Sequence, residues 1–518
     1  MKNQRLFLAI VLIAASVLFL SNLGNRYLWQ DEAETALVAK TILKHGIPLG
    51  YDGKNFFSQE GLTSYGKDYL WVLDPWLPHY LVAASFKIFG VGTFEARFPF
   101  ALFGIATTML TYFFTLLLTK DRKVAAMATV LLLISVPFLL LCRQSRYYAP
   151  VAFFSLLSLY GYGMVLENRK GGSVTYAVPA ILVFYCNHLF FATLLMTVVI
   201  HALICCRQRL GRVLLLSLIV SLANLPWLFW ISGMRYVNLY GYRLFDNEFF
   251  SFFRKNLSHI HYYIFPLFLL LLPIFKGIFV CIKNKSIKNA IFKDTKLWGN
   301  LLLLVLFIIL TITALSIASP DPFFRYLTQL IPMFCIVTAI ILRSIVGKYF
   351  KTGIVTMAVL FGLVIYCDYQ YGRNDPHREG MKYLNFLDYL EEIISDYDCP
   401  NEGIAKYLNA NGTDSDIVAI TYGDLPLKFY TKMRVIGGLT GEDLSLVKKA
   451  KWIIIRKHIL CTVDGDVAQY IVRNASGRYD KIVLGYREMP WGNRPSPQSH
   501  KFRTIKSGDR VTIYRKNY

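Results

Sequence analysis

Apolar runs of about 18 or more residues recur along most of the first 370 positions of this 518-residue chain, the pattern left by helices that cross a lipid bilayer. Each such helix satisfies its own backbone hydrogen bonds, the condition for a segment surrounded by hydrocarbon. Composition agrees. Hydrophobic residues make up 55% of the chain and charged residues 17%, against about 25% charged in a soluble domain. Mean hydropathy is +0.42. The chain reads as a polytopic membrane protein with room for one modest soluble domain.

Charge orders the topology. Of the net +23, +18 falls in residues 1–372 and +5 in 373–518. The excess sits in short loops between apolar runs, as the positive-inside rule requires. No nucleic-acid motif accompanies it, so nucleic acid is excluded as a partner. With Lys2 and Arg5 inside, about eleven transmembrane helices are predicted: 6–23, 98–118, 124–141, 149–166, two sharing 174–205 with a break at Asn187-His188, 213–232, 261–281, 298–318, 326–345 and 352–367. The first run lacks a small-residue cleavage site and is expected to stay as a helix. The N-terminus is then cytoplasmic and the C-terminus extracytoplasmic, in a plasma membrane, with a bacterial inner membrane expected. The first outer loop, 24–96, holds two amphipathic stretches, 32–45 and 76–90, suited to the membrane surface. The stretch 233–260 reads as an aromatic outer loop.

Beyond the last run the chain alternates short β-like segments (416–421, 451–456, 481–484, 510–514) with helical patterns near 382–396, 402–410 and 443–450. We therefore divide it into a transmembrane domain, 1–370, and a small soluble α/β domain, 371–518. Tyr422–Pro426 reads as a turn after a strand. Cys399 and Cys461 either pair or remain two thiols; the other seven cysteines read as small hydrophobes.

Polar residues expected on the outer face carry the functional signal. Asp31, Glu32 and Glu34 follow the first helix directly, at the membrane boundary. Asp31 as a helix cap and Asp31 in chemistry are both consistent with that position. Arg97, Arg146 and Arg325 each lie near a helix entering from the same side, and three guanidinium groups at that depth suit a lipid-linked phosphate. His188, at a break in an apolar stretch, joins them as a candidate phosphate ligand. Lys54, Tyr147 and His259 are candidate contacts for a sugar or an acceptor. There is no Walker A loop, no GxSxG and no HExxH. Helix centres are nearly free of charge, unlike those of many transporters. No acidic constellation suggests a metal, and no cofactor is expected.

The residues Trp29-Gln30-Asp31-Glu32-Ala33-Glu34, then Ala39, Leu43, Gly46 and Pro48, resemble the first outer loop of GT-C glycosyltransferases. Phe89-Gly90 with Glu95-Ala96-Arg97-Phe98-Pro99, and Arg325-Tyr326-Leu327 with Pro332, resemble later motifs of the branch holding protein O-mannosyltransferases and the lipid A aminoarabinose transferase. The resemblance spans about residues 1–345. It implies transfer of a sugar from a polyprenyl-phosphate carrier to a lipid, glycan or protein acceptor, with inversion and Asp31 as base. Glu32 would share the acidic role, and Arg97, Arg146, Arg325 or His188 would hold the leaving phosphate. Two departures argue against aminoarabinose transfer. Tyr148-Ala149-Pro150 lacks that branch's second Asp before a proline, and Ser58-Gln59 replaces its Lys-Pro. A non-enzymatic flippase or glycan-assembly partner is the alternative, and an oligosaccharide ligase of related fold is a third reading.

Overall fold

The structure is a computed structural model that describes residues 2–57, 65–232, 243–270, 295–346, 386–397, 399–437, 444–456, 469–473, 479–489, 494, 500–502, 504 and 508–517. The chain is a bundle of apolar helices with a small mixed sheet near its C-terminus. Among the described residues seven helices are long and apolar enough to cross a membrane, or eight if one bent pair counts as a single span. The expected helix at 352–367, most of the one at 261–281, and the boundary at 370/371 lie outside the described residues.

The bundle begins with α1 (Lys2–Leu20). Its Leu6, Ile10, Ile13 and Val17 recur at helical spacing and are exposed, a stripe suited to lipid. Helix α4 (Thr93–Thr119) passes through the bundle interior. The hydroxyls of Thr107, Thr108, Thr111, Thr115 and Thr119 each donate to the carbonyl four residues back, so no polar group is left over. The segment expected as one helix over 124–141 is two, α5 (Arg122–Leu133) and α6 (Val136–Cys142), bent by 64°. Ser135 adopts extended angles and Pro137 opens the second helix, where its missing N–H costs nothing.

Helices α7 (Tyr148–Leu166), α8 (Gly172–Phe184), α9 (His188–Cys205) and α10 (Leu210–Ser232) follow, joined by short turns. Gly161 of α7 meets the α8 backbone, where an added Cβ would lie 2.3 Å from the Thr175 carbonyl carbon. The stretch read as an aromatic loop contains α11 (Asn247–Tyr263), capped by Asp246. Its aromatic residues obscure a helical period in the sequence. Helix α12 (Thr295–Ala318) and a 3₁₀ turn, Phe324–Leu330, lead into α13 (Ile331–Val346).

The two amphipathic stretches of the first loop form α2 (Gln30–His45) and α3 (Leu77–Phe89). Twelve residues of α2 are buried, among them Gln30, Asp31, Glu32 and Glu34. It is an interior element, capped between the helix bundle and the C-terminal region, and not a helix resting on a membrane surface.

The C-terminal region contributes α14 (Phe386–Ile394), α15 (Pro400–Asn411) and α16 (Asp424–Tyr430) around a five-stranded sheet. The strands are β1 (Ile417–Ile420), β2 (Arg434–Ile436), β3 (Trp452–Ile454), β4 (Tyr479–Arg487) and β5 (Arg510–Lys516), in the order β2-β1-β3-β5-β4. The first three are parallel; β5 runs antiparallel to β3 and β4. The turn expected at Tyr422–Pro426 is the start of α16, with Gly423 in a left-handed conformation ahead of it. Cys399 is buried at the start of α15; its possible partner, Cys461, lies outside the described residues.

This region sits on the end of the bundle where α4 and α7 begin. Tyr430 stacks on Tyr27 at 3.8 Å, accepts from the Leu28 N–H at 2.9 Å and bonds Thr93 at 2.6 Å. The Tyr389 hydroxyl donates to the last turn of α1 at Leu18, 2.6 Å away. Lys120, Arg169 and Arg212 lie together at the opposite end, where Lys120 and Arg169 pair with Glu167 and Arg212 bonds Asn168.

Candidate active site

Helix α2 carries Asp31, Glu32 and Glu34 in its first five positions, and helical register separates them. Each residue turns by about 100°, so Glu32 faces a different neighbour from Asp31, while Asp31 and Glu34, three apart, share a face.

Glu32 is fully buried. Its carboxylate accepts from Nε and Nη2 of Arg97, each at 2.7 Å, from the Ser145 N–H at 2.9 Å and from the Trp29 N–H at 3.4 Å. The remaining nitrogen of Arg97 donates to the Leu23 and Arg26 carbonyls at 3.0 and 2.9 Å. The two residues expected as a second catalytic acid and a phosphate ligand therefore occupy each other, and bind α2 to α4. Removing one partner of such a buried pair costs about 3–5 kcal/mol.

The other face of α2 is less completely engaged. Nη2 of Arg325 lies 3.3 Å from the Asp31 carboxylate. Nη1 of Arg146 donates to the Asp31 carbonyl at 3.2 Å, to Glu34 at 2.9 Å and to the Thr35 hydroxyl at 3.1 Å. Burial pushes the Glu34 carboxyl up to about 8, against the pull of Arg146. Behind it, Asp74 meets His79 at 2.9 Å and the Trp71 indole N–H. Burial raises Asp74, but His79 outweighs it and brings the carboxyl down to about 2.

The bundle thus brings together Asp31, Arg146 and Arg325 from three distant stretches. Tyr147 borders them, its ring 6.0 Å from the Arg146 guanidinium and 4.8 Å from the Tyr148 ring. The Arg325 guanidinium lies over Phe323 at 4.0 Å, Tyr326 at 5.5 Å and Trp29 at 5.7 Å. Three buried donors at this point, the Nε atoms of Arg146 and Arg325 and the Tyr148 hydroxyl, have no hydrogen-bond partner among the described residues. Buried donors of this kind call for a ligand, an ion or ordered water.

Other expected residues lie elsewhere. Lys54 donates to the Asp414 and Lys432 carbonyls, and Asn55 bonds Met433 and Val435 at 3.1 and 2.9 Å. The first loop thereby grips the edge of the sheet, and Lys54 acts as a fastener there, not as a sugar contact. His188 opens α9 with its ring 4.4 Å from Phe184, at the α8–α9 junction and not in the Asp31–Arg325 pair. His259 on α11 is 6.0 Å from Phe324, ring to ring, and burial brings its imidazole down to about 4. It is neutral at pH 7 and supplies no charge.

One site residue escaped the sequence. Arg494, from the C-terminal region, places its guanidinium 4.8 Å from the Phe323 ring centre and 5.7 Å from that of Trp29, on two of the rings that carry Arg325. No motif marks it among the basic residues of that region. Arg143 donates to the Leu18, Phe19 and Ser21 carbonyls at 3.0, 3.3 and 2.9 Å, capping the end of α1.

No protein-family model matches the chain. An uncharacterised protein of Aquifex aeolicus (strain VF5) is 30% identical over 162 residues, 31% of this chain and 30% of that protein. ArnT from Cupriavidus metallidurans, solved bound to undecaprenyl phosphate, overlays 99% of this chain and 98% of its own at TM-score 0.60 and 13% identity. The same protein in the apo state gives TM-score 0.58 over the same shares. At that identity the likeness speaks for the fold. The chain shares the fold of ArnT, a helical bundle with a small C-terminal sheet.

Proposed function

We propose that this chain is an integral-membrane glycosyltransferase that moves a sugar from a polyprenyl-phosphate carrier to an acceptor hydroxyl, with inversion and without a metal. The observation that carries the reading is the division of labour on α2. Glu32 is closed off by Arg97, while Asp31 and two guanidinium groups with unsatisfied donors converge on one point. A carboxylate beside an anion site is what such a transfer needs. Asp31 accepts the proton of the acceptor hydroxyl as that oxygen attacks the anomeric carbon. The bond from that carbon to the phosphate oxygen breaks on the opposite face, and polyprenyl phosphate leaves as an anion. Arg146 and Arg325 stabilise the charge that develops on it.

The ArnT structure holds undecaprenyl phosphate within the same fold, which supports a lipid-linked donor here. Asp31 and Glu34 each face an arginine. The reaction is proposed to need no metal, and unchanged activity in chelator is the expected result. The basic end of the bundle faces the cytoplasm in this reading, so the site and the C-terminal region lie outside it.

The test is Asp31→Asn in detergent-purified protein incubated with undecaprenyl-phosphate sugars. Turnover should fall by at least two orders of magnitude, the usual contribution of a general base. Native mass spectrometry should still detect the bound donor. Turnover equal to wild type would overturn the assignment of the base. Failure of wild type to retain any polyprenyl phosphate would overturn the reading as a whole.

A further inference from the structure

Among the described residues near the start of α2, Arg494 is a cation with no ion pair. Asp31 faces Arg325, Glu34 faces Arg146 and Asp74 faces His79. Arg494 stands beside this group, resting on the Phe323 and Trp29 rings. Its guanidinium makes no hydrogen bond among the described residues. Burial and the neighbouring Arg325 both disfavour its charged form, and Asp31 only partly compensates. Two guanidinium groups sharing the same two rings repel each other across a poorly solvated gap. Such an arrangement costs free energy unless an anion lies between them.

The unsatisfied Nε atoms of Arg146 and Arg325 and the Tyr148 hydroxyl belong to the same neighbourhood. Tyr148 is close enough to Asp31, Arg146, Arg325 and Arg494 to act on each of them electrostatically. Protonation of Glu34 near neutral pH removes a further negative charge from the set. The site thus gathers three guanidinium groups, Arg146 and Arg325 from the bundle and Arg494 from the C-terminal region.

We infer that Arg494 is a binding residue for the phosphate group of the lipid-linked donor, so that the C-terminal region completes the site instead of merely covering it. This rests on the proposed polyprenyl-phosphate reading. A guanidinium presents paired donors that match two phosphate oxygens, which lysine cannot do. With Arg146 and Arg325 entering from the bundle and Arg494 from the sheet side, the phosphate would be held between the two parts of the chain. Gln30 donates to Asp424 at 2.6 Å, and Asp424 pairs with Lys428 at 2.8 Å, both fully buried. That contact fixes α16 of the C-terminal region against α2.

The experiment compares full-length wild type, Arg494→Gln and Arg494→Lys in detergent, by equilibrium binding of undecaprenyl phosphate, undecaprenol and inorganic phosphate. Arg494→Gln should weaken undecaprenyl phosphate by about ten-fold or more, the scale of a charge-assisted contact, and leave undecaprenol unchanged. Arg494→Lys should fall between. The melting midpoint should be the same in all three. Equal affinity of Arg494→Gln and wild type for undecaprenyl phosphate would overturn the inference while leaving the donor reading intact. Equal losses for the phosphate and the alcohol would overturn it too, assigning Arg494 to packing. A loss confined to inorganic phosphate would replace the lipid headgroup with a free anion. If wild type binds no undecaprenyl phosphate, the donor reading falls and this inference with it.

Discussion

Asp31 and Glu32 are neighbours in sequence, yet one faces Arg325 and the other is enclosed by Arg97. Glu34 is the residue of this group whose protonation is most open to measurement. Its carboxyl is raised to about 8 by burial, above an ordinary glutamate near 4.3. The folded chain therefore holds this proton over a range in which the unfolded chain has lost it. Stability then falls as pH rises from about 4.5 to about 8. Glu34→Gln should flatten that slope, so the melting midpoints at pH 5.5 and 8.5 should lie closer together than in wild type. An identical gap in both proteins would contradict the placement of the proton. At this scale the sequence identified the acidic cluster and the three arginines, because charge beside an apolar boundary is conspicuous. It could not assign partners, since pairing depends on helical register and on contacts 65 or more residues apart. Arg494 was invisible for the same reason: nothing local distinguishes it from the other basic residues near the C-terminus.

Helices were legible wherever an apolar run was long and uniform, as in α1, α4, α7 and α12. Hydropathy is blind to direction, however, so the bend between α5 and α6 was missed even though Ser135 and Pro137 mark it locally. The apolar side of α2 was read as facing a membrane surface and faces the bundle and the C-terminal region instead; amphipathicity reports that a face is buried, not by what. The α7–α8 seam makes the clearest prediction for an element. Gly161 leaves no room for a Cβ against the Thr175 and Tyr176 backbone. Gly161→Ala should cost about 1–3 kcal/mol through forced separation of the helices, read as a lowered melting midpoint in detergent. Gly211, with nothing within 4 Å of its added Cβ, is the matched control and should tolerate alanine.

In the whole molecule, the helical bundle and the C-terminal region meet through many small polar contacts. Lys54 and Asn55 bind the sheet edge, and Asn22 donates to the Ser395 carbonyl at 2.7 Å. Lys54→Ala combined with Asn55→Ala should loosen this junction without disturbing Asp31. The double variant should be cut faster by protease near β2 and should bind donor more weakly, with turnover of bound donor nearly unchanged. A change in turnover alone would place Lys54 in the chemistry. The mixed sheet was largely readable as strands, though β2 was not among those read. How the sheet caps α2 was not readable, because that contact joins residues about 400 positions apart.

That separation has a consequence in time. Asp31 leaves the ribosome well before Arg494, which lies 463 positions further along the chain. At typical rates of about 5–20 residues per second, on the order of 20 to 90 s pass between them. If Arg494 completes the donor site, a nascent chain already threaded into the membrane would not hold a lipid-linked donor firmly until Arg494 has been synthesised and the sheet has formed. Copies not yet extended that far would then leave the carrier lipid free, and competence would begin only when these two distant stretches meet.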